Sequence, residues 1–342
     1  MTDVLILGGT GWLGGATARR WMDAGARVTC LARGAREAPF GAALVAADRE
    51  HRAAYARVAD REWDEVLDVS SDPAHVEAAL TALAGRTRHW TYVSSVSVYA
   101  SSDVAGQDEG AALADPAEAG EPYDYARAKA ACEASVRRAL GGRAAVVRPG
   151  LVVGPGDPSD RFGYWPARFA LAGGEPVLLP EGDDRMAQVI DVRDLADEIV
   201  ALGRERWVGT MNAVGDPVPL ARLLELARET AGHTGELVVA DDAWLEQHDV
   251  QHWAGPRSLP LWLPRDMPGF TTRTNTVYRL LGGTLRDLRV TLADTLADER
   301  ARGLDRDRRS GLTRAEEEVL LADHRAEHDA RRRDTGPTGD IA

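Results

Sequence analysis

The sequence predicts an α/β fold in which a doubly wound parallel sheet is followed by a smaller, mostly helical part. Three observations carry that reading. Short apolar runs alternate with helix-like segments over residues 4–148, the rhythm of a parallel sheet with helical crossovers. The chain opens on a strand, a glycine turn and a helix, VLILGGTGWLGGA at residues 4–16. Past Asp157 the alternation gives way to aromatic-rich and charged stretches.

Residues 4–7 form a short apolar run, which suits a strand buried on both faces. Gly8, Gly11 and Gly14 follow at three-residue spacing, and residues 16–24 read as a helix. This is the Rossmann-type arrangement that sets a pyrophosphate on free backbone N–H groups at a helix N-terminus. Gly8 permits the tight turn, Gly11 the close approach of phosphates, and Gly14 the packing of helix on strand. The spacing is G-x-x-G-x-x-G, not the G-x-G-x-x-G of most dehydrogenases. Thr10, Trp12 and Leu13 complete the candidate cradle.

The next strand, residues 27–32, ends at Ala32 and is followed by Arg33, Gly34 and Arg36, with no acid before Glu37. An acid there would bind a ribose 2′-OH, whereas an arginine accommodates a 2′-phosphate. NADP is therefore expected over NAD. Residues 42–47 read as the third strand, with Asp48 at its end placed to reach an adenine amino group, and a helix is expected through Val58. Residues 65–69 form the fourth strand. Asp72 and Pro73 open a helix as N-cap and first-turn residue. Residues 89–94 form the fifth strand, and the polar stretch 101–120 is expected to be a mobile loop over the site. A helix over 123–140 and a strand over 143–148 follow. Further on, 186–190 read as strand, 191–202 as helix, 210–213 as a strand returning to the sheet, and 219–230 as helix. Residues 244–270 read as irregular and aromatic-packed, and 312–333 as a charged helix. The expected division is a dinucleotide domain over 1–156, rejoined by 187–215. The substrate-binding part covers 157–186 and 216–333, with a disordered tail at 334–342.

The bulk composition narrows the function. The chain has 342 residues, 44% of them hydrophobic, which supports a true core. A net charge of −13 argues against nucleic-acid binding. The two cysteines, Cys30 and Cys132, fall inside regular elements and are expected as buried thiols; no metal-site spacing occurs. The chain starts almost directly on a strand, leaving no room for a signal peptide, and no apolar run reaches ~18 residues. A soluble, cytoplasmic protein without a metal is expected.

The chemistry rests on Tyr125 and Lys129, four residues apart and hence on one helix face. A phenol is a poor base near neutrality unless its anion is stabilised, which a neighbouring ammonium does. The same ammonium can hold the nicotinamide ribose hydroxyls. Ser94 and Ser95 sit at the carboxyl end of the fifth strand, where ligands of this architecture bind.

In this order the motifs resemble the extended short-chain dehydrogenase/reductase superfamily, in its NAD-dependent epimerase/dehydratase-like branch. The residues that carry the resemblance are GGTGWLG at 8–14, YVSSVSVY at 92–99, YARAK at 125–129, RPGLVVGPGD at 148–157 and VIDVRDLA at 189–196. It covers roughly residues 1–232 and is specific for fold and cofactor class, not for substrate. The resemblance implies that Tyr125 is the acid/base, Lys129 its partner and Ser95 the substrate-polarising hydroxyl. It also places Ser94 and the Pro149–Leu151 stretch beside the nicotinamide, and implies a homodimer through helices 73–84 and 123–140. Two departures matter. Val96 and Ser97 stand where 4,6-dehydratases carry Asp-Glu, and residues 150–152 lack the amide common in nucleotide-sugar enzymes. Ser97, Tyr164, Trp165 and Arg185 are candidate substrate contacts, Arg185 alternatively an ion-pair partner of Asp183 or Asp184. The expected function is an NADP-dependent reductase of a small carbonyl or alcohol, a bulky apolar one by the aromatic content of the second half. The alternatives are an NDP-sugar epimerase with tightly bound NAD(P) and a non-catalytic dinucleotide sensor.

Overall fold

The first strand shows how the sheet is built. Leu5 and Leu7 face one side of it and Val4 and Ile6 the other, and all four are fully buried. An apolar run without alternation is what a strand covered by helices on both faces requires. The computed structural model describes residues 1–118 and 120–334. In chain order the elements begin β1 (Asp3–Leu7), α1 (Trp12–Asp23), β2 (Arg27–Ala32), β3 (Ala43–Ala46), β4 (Trp63–Asp68), α2 (Pro73–Leu83), β5 (Thr87–Val93) and α3 (Tyr125–Leu140). They continue with β6 (Ala144–Pro149), β7 (Leu151–Val153), α4 (Tyr164–Ala172), β8 (Val177–Pro180), β9 (Met186–Ala187), β10 (Val189–Asp191), α5 (Val192–Glu205) and β11 (Gly209–Ala213). The last are β12 (Val218–Pro219), α6 (Leu220–Ala231), β13 (Leu237–Ala240), α7 (Asp242–Gln247), β14 (Gln251–Trp253), β15 (Ser258–Pro260), α8 (Thr276–Leu280), α9 (Leu288–Arg302) and α10 (Arg314–Asp334).

Seven parallel strands form one sheet in the order β11-β6-β5-β4-β1-β2-β3. The order reverses between β1 and β4, and ligands of open α/β sheets bind at such a switch point, beyond the carboxyl ends. On one face Val76, Leu80 and Leu83 of α2 and Cys132 and Val136 of α3 pack against Leu5, Leu7, Trp90 and Tyr92. On the other, Ala18 and Trp21 of α1 and Leu195 and Ile199 of α5 pack against Val4, Ile6, Cys30 and Val147. This is the Rossmann-type doubly wound sheet expected from the sequence.

The chain divides into two compact units. The first holds residues 1–153, 188–217 and 266–286; the second holds 154–187, 218–265 and 287–342. Residues 266–286, which the sequence reading leaves with the second part, group with the first. The fully buried Tyr278 joins the sheet's core, and Arg273 is locked to Ser101 and Gln107. In the second unit β8 and β13 form a parallel pair, and Phe162, Trp165, Phe169 and Trp262 are fully buried. Buried Glu299 on α9 is bonded by Arg302, Arg306 and Arg308.

Several expectations are corrected. The helix through Val58 is a single 3-10 turn, Arg52–Tyr55. Tyr55 is bonded by Arg49 and the Val58 carbonyl by the Trp63 indole, and the residues after Tyr55 continue only as hydrogen-bonded turns, Val58 N–H and Ala59 N–H both donating to Tyr55 O at 2.9 Å. The loop over 101–120 is stitched down along its described length. Ala100 N–H donates to Ala112 O (2.9 Å), Ala114 N–H to Val98 O (2.8 Å), Asn212 N–H to Glu109 Oε1 (2.7 Å) and Gly269 N–H to Ser102 O (2.7 Å). Its composition is that of a mobile loop, and partners distant in sequence hold it. Residues 186–190 split at Gln188, β9 pairing with β12 and β10 with β7. Within 244–270 lie most of α7, the β14–β15 pair and a 3-10 turn. Of the tail over 334–342, Asp334 ends α10 and the rest lies outside the described residues.

His89 on β5 is 1% exposed. Nδ1 lies 2.5 Å from Glu65 Oε2 and Nε2 2.7 Å from Trp207 O, so each ring nitrogen meets an obligate acceptor. Burial opposes the charged ring, but the Glu65 carboxylate outweighs it, and the pKa stands above its ordinary 6.5. The stabilisation is complete below that ordinary value and is lost as pH rises through the folded one. The urea midpoint of the wild type should therefore fall between about pH 6 and about pH 9, and fall less in His89→Gln. Equal slopes in the two proteins would refute the pairing.

Candidate active site

The glycine turn is built around a close approach. Gly8 adopts φ +97°, its N–H donating to Leu31 O at 2.9 Å. A β-carbon on Gly14 would lie 2.3 Å from Gly8 O, so only glycine lets α1 start against the turn. No side chain caps α1 at Gly11, and no acid stands in its first turn. The dipole at its N-terminus favours an anion.

Gly8, Thr10 and Gly11 form one wall of a cleft of about 740 Å³; Arg33, Asp48 and Ser70 are among the residues lining the rest. Trp12, Leu13 and Gly14 begin α1 and are not among the residues that line the cleft. Arg33 and Arg36 are exposed on the cleft, and neither makes an ion pair among the described residues. No carboxylate ends β2. Asp48 lies on the cleft with Oδ1 accepting from Glu50 N–H at 3.2 Å.

Asp124 caps α3 by accepting from Arg127 N–H at 2.8 Å, which sets Tyr125 at the first helical position and Lys129 one turn on. Tyr125 is 42% exposed, whereas Lys129 is buried, its Nζ 6.0 Å from the Tyr125 ring centre. Lys129 Nζ donates to Ser70 O (2.9 Å) and Val93 O (2.7 Å). Burial pulls the Lys129 pKa down to about 8, against the opposing charges of Asp68 and Glu133. An ammonium has three N–H groups, so one remains for a ligand hydroxyl. Ser95 caps a 3-10 turn at Val96–Val98; its Oγ accepts from Ser97 N–H at 3.1 Å and donates to Ser97 Oγ at 3.1 Å. Ser94 is buried, its N–H donating to Val147 O at 2.7 Å. Pro149 ends β6 and Leu151 begins β7, both buried at the carboxyl edge of the sheet.

Comparison with known proteins fits this geometry. A family profile described as the NAD dependent epimerase/dehydratase family matches residues 4–211. The chain belongs to that family. Among solved structures, a candidate epimerase from Burkholderia cenocepacia J2315 gives a TM-score of 0.68 at 23% identity, covering 88% of this chain and 98% of the other. The WbmH enzyme of Bordetella bronchiseptica, solved in complex with NAD+, gives 0.68 at 17% identity, covering 88% and 98%. The UDP-glucose 4-epimerase of Thermotoga maritima, solved with UDP-glucose, gives 0.64 at 16% identity, covering 88% and 99%. At such identities the likeness establishes the fold. No curated protein sequence shows a significant match. The family is a branch of the extended short-chain dehydrogenase/reductase superfamily and uses a nicotinamide dinucleotide. The residues of this epimerase/dehydratase-family chain fit such a cofactor: an uncapped helix N-terminus, a cleft at the switch point and a lysine with one N–H to spare.

Three candidate substrate contacts are corrected. Tyr164 and Trp165 are buried in the core of the second unit; Gly311 packs on the Tyr164 ring, and Trp165 Nε1 donates to Pro260 O at 2.7 Å. Arg185 is buried and donates to Leu263 O (2.8 Å), Glu181 O (2.9 Å) and Asp242 Oδ2. Its guanidinium is consumed within its own unit, chiefly by Asp242, with the adjacent Asp184 also paired at 3.8 Å, the ion-pair alternative the sequence offered. Helix amphipathy cannot separate a core aromatic from a pocket aromatic, and an ion pair across 57 residues leaves no local pattern. Ser97 is half-buried and bonded to Ser95.

The sequence reading also missed groups in the cleft wall. Glu50, Asp72 and His75 bring three ligand-type atoms within 4.8 Å, His75 Nε2 lying 3.1 Å from Glu50 Oε1. Arg49 pairs with Asp68; the sequence shows the acid closing the apolar run Val66–Leu67 but not its partner. Trp165→Ala should cost about 3–5 kcal/mol of unfolding free energy, as a large core truncation does. Urea denaturation checks this, and a loss near zero would return Trp165 to a pocket.

Proposed function

We propose that the chain is an NADP-dependent reductase acting on a small carbonyl or alcohol. The observation that carries the cofactor choice is the end of β2, where Arg33 and Arg36 face the cleft and no carboxylate stands to take a ribose 2′-OH. An arginine can meet a 2′-phosphate with charge-assisted hydrogen bonds. The bound nicotinamide supplies or accepts the hydride. Tyr125, exposed at the start of α3, holds the proton exchanged with the substrate oxygen. Lys129 favours the phenolate electrostatically and offers its remaining N–H to the ribose. Ser95 Oγ polarises the substrate oxygen, turning from its bond to Ser97 Oγ. A homodimer through α2 and α3 and a cytoplasmic location belong to the same proposal. Among the described residues no helix is long and apolar enough to cross a membrane.

A second reading, an NDP-sugar epimerase holding its dinucleotide through turnover, draws on the family and on neighbours named UDP-sugar epimerases. It differs in a simple observable: the dinucleotide co-purifies and added NADPH is not consumed.

Two variants test the proposal. Arg33→Ser should weaken NADPH binding roughly 10- to 100-fold and leave NADH binding unchanged, the worth of a hydrogen bond between charged groups. Equal loss for both dinucleotides in fluorescence titration would refute the 2′-phosphate role. Tyr125→Phe should reduce NADPH-dependent reduction of a responsive carbonyl compound by about 10²–10⁴-fold with NADPH affinity retained. Undiminished turnover would remove Tyr125 from the chemistry.

A further inference from the structure

The carboxyl end of β4 carries a buried ion pair that the proposed chemistry does not use. Asp68 is fully buried and takes two hydrogen bonds from Arg49, Nη1 to Oδ1 and Nη2 to Oδ2, each 2.9 Å. Arg49 is fixed in turn, Nε donating to Tyr55 OH at 2.8 Å and Nη2 to His75 O at 2.9 Å. Asp68 Oδ1 accepts a further bond, from Ser70 N–H at 3.0 Å. The carbonyl of that same Ser70 receives Lys129 Nζ at 2.9 Å and Tyr92 OH at 3.0 Å. One carboxylate thus fixes the backbone that the lysine binds. A carboxylate is costly to bury, and this one is matched by an arginine that is itself tied down.

We infer that Asp68 is a positioning residue for Lys129, clamping the Ser70 backbone so that its carbonyl holds the ammonium in place. The inference rests on the reading above that Lys129 serves the bound dinucleotide. The groups facing the ammonium come from three elements: Asp68 at the end of β4, Tyr92 on β5 with its ring centre 5.0 Å from Nζ, and Tyr125, Cys132 and Glu133 on α3. Burial lowers the Lys129 pKa to about 8, and the charges of Asp68 and Glu133 oppose that fall. Removing the Asp68 charge therefore leaves the ammonium to lose its proton at lower pH.

The test is NADPH binding to the full chain, followed by fluorescence from about pH 6.5 to about pH 10, with Asp68→Asn and Lys129→Met beside the wild type. Wild-type affinity should fall through an alkaline midpoint that is absent in Lys129→Met. In Asp68→Asn the midpoint should lie about one pH unit lower, with affinity at the acid end kept within a few-fold. A merely structural role for Asp68 would lower affinity equally at every pH. An unmoved midpoint in Asp68→Asn, or a midpoint that survives in Lys129→Met, overturns the inference. If Arg49 left unpaired unfolds the single variant, Arg49→Met/Asp68→Asn removes both buried charges; the lost Arg49 charge acts in the opposite sense, so a smaller downward shift is required of it, and no shift or an upward one overturns the inference. A wild type that binds NADH but not NADPH would overturn the cofactor choice alone, since the midpoint comparison run with NADH still decides the role of Asp68.

Discussion

The contact between Gly14 and the Gly8 carbonyl is the constraint on which the candidate site depends. With no β-carbon between them, α1 begins directly beyond β1 and needs no side-chain cap. Gly9 is equally confined, since a β-carbon there would lie 2.4 Å from Cys30 Sγ of β2. Turn, helix and second strand are therefore locked as one piece. The N-terminus of α1 and the arginines after β2 come to the same cleft for that reason.

Charge inside the first unit is handled by pairing. Arg148 on β6 donates to Glu133 on α3 at 2.8 and 2.7 Å, and also to Tyr99 OH, which donates to Asn212 Oδ1 on β11. Glu65 on β4 meets His89 on β5, and Asp68 at the end of β4 meets Arg49 just past β3. Each pair joins elements that the hydrophobic core already brings together. Breaking one partner leaves a buried charge without compensation, which costs more than the intact pair contributes. Lys129 differs. Its ammonium is held by two backbone carbonyls rather than by a direct ion pair, and burial brings its pKa close to neutral pH. Such a group responds to small changes in its surroundings, as a functional lysine does.

The second unit spends its polar groups on its own architecture. Arg185 is bonded to Asp242 and two carbonyls, and Glu299 gathers three arginines. Its aromatic residues bury one another: Tyr164 stands edge-on to Trp165 at 5.1 Å, and His252 stacks on Trp262 at 3.7 Å. Aromatic content in this part of the sequence therefore reports core packing before it reports a ligand.

Local chemistry was enough to read the sheet, the glycine turn, the cap at Asp72, and the shared helix face of Tyr125 and Lys129. Each is settled within a few residues by periodicity, capping or backbone freedom, so the sequence displays it directly. The stitched loop over 101–118, the return of 266–286 to the first unit and the fate of Arg185 were not legible. Neither was the path from Arg49 through Asp68 and Ser70 to Lys129. Each depends on at least one contact between residues far apart in sequence, as Lys129 and Ser70 are separated by 59. Such partners are chosen by which strand ends the sheet sets side by side, and that choice exists only once the chain has folded.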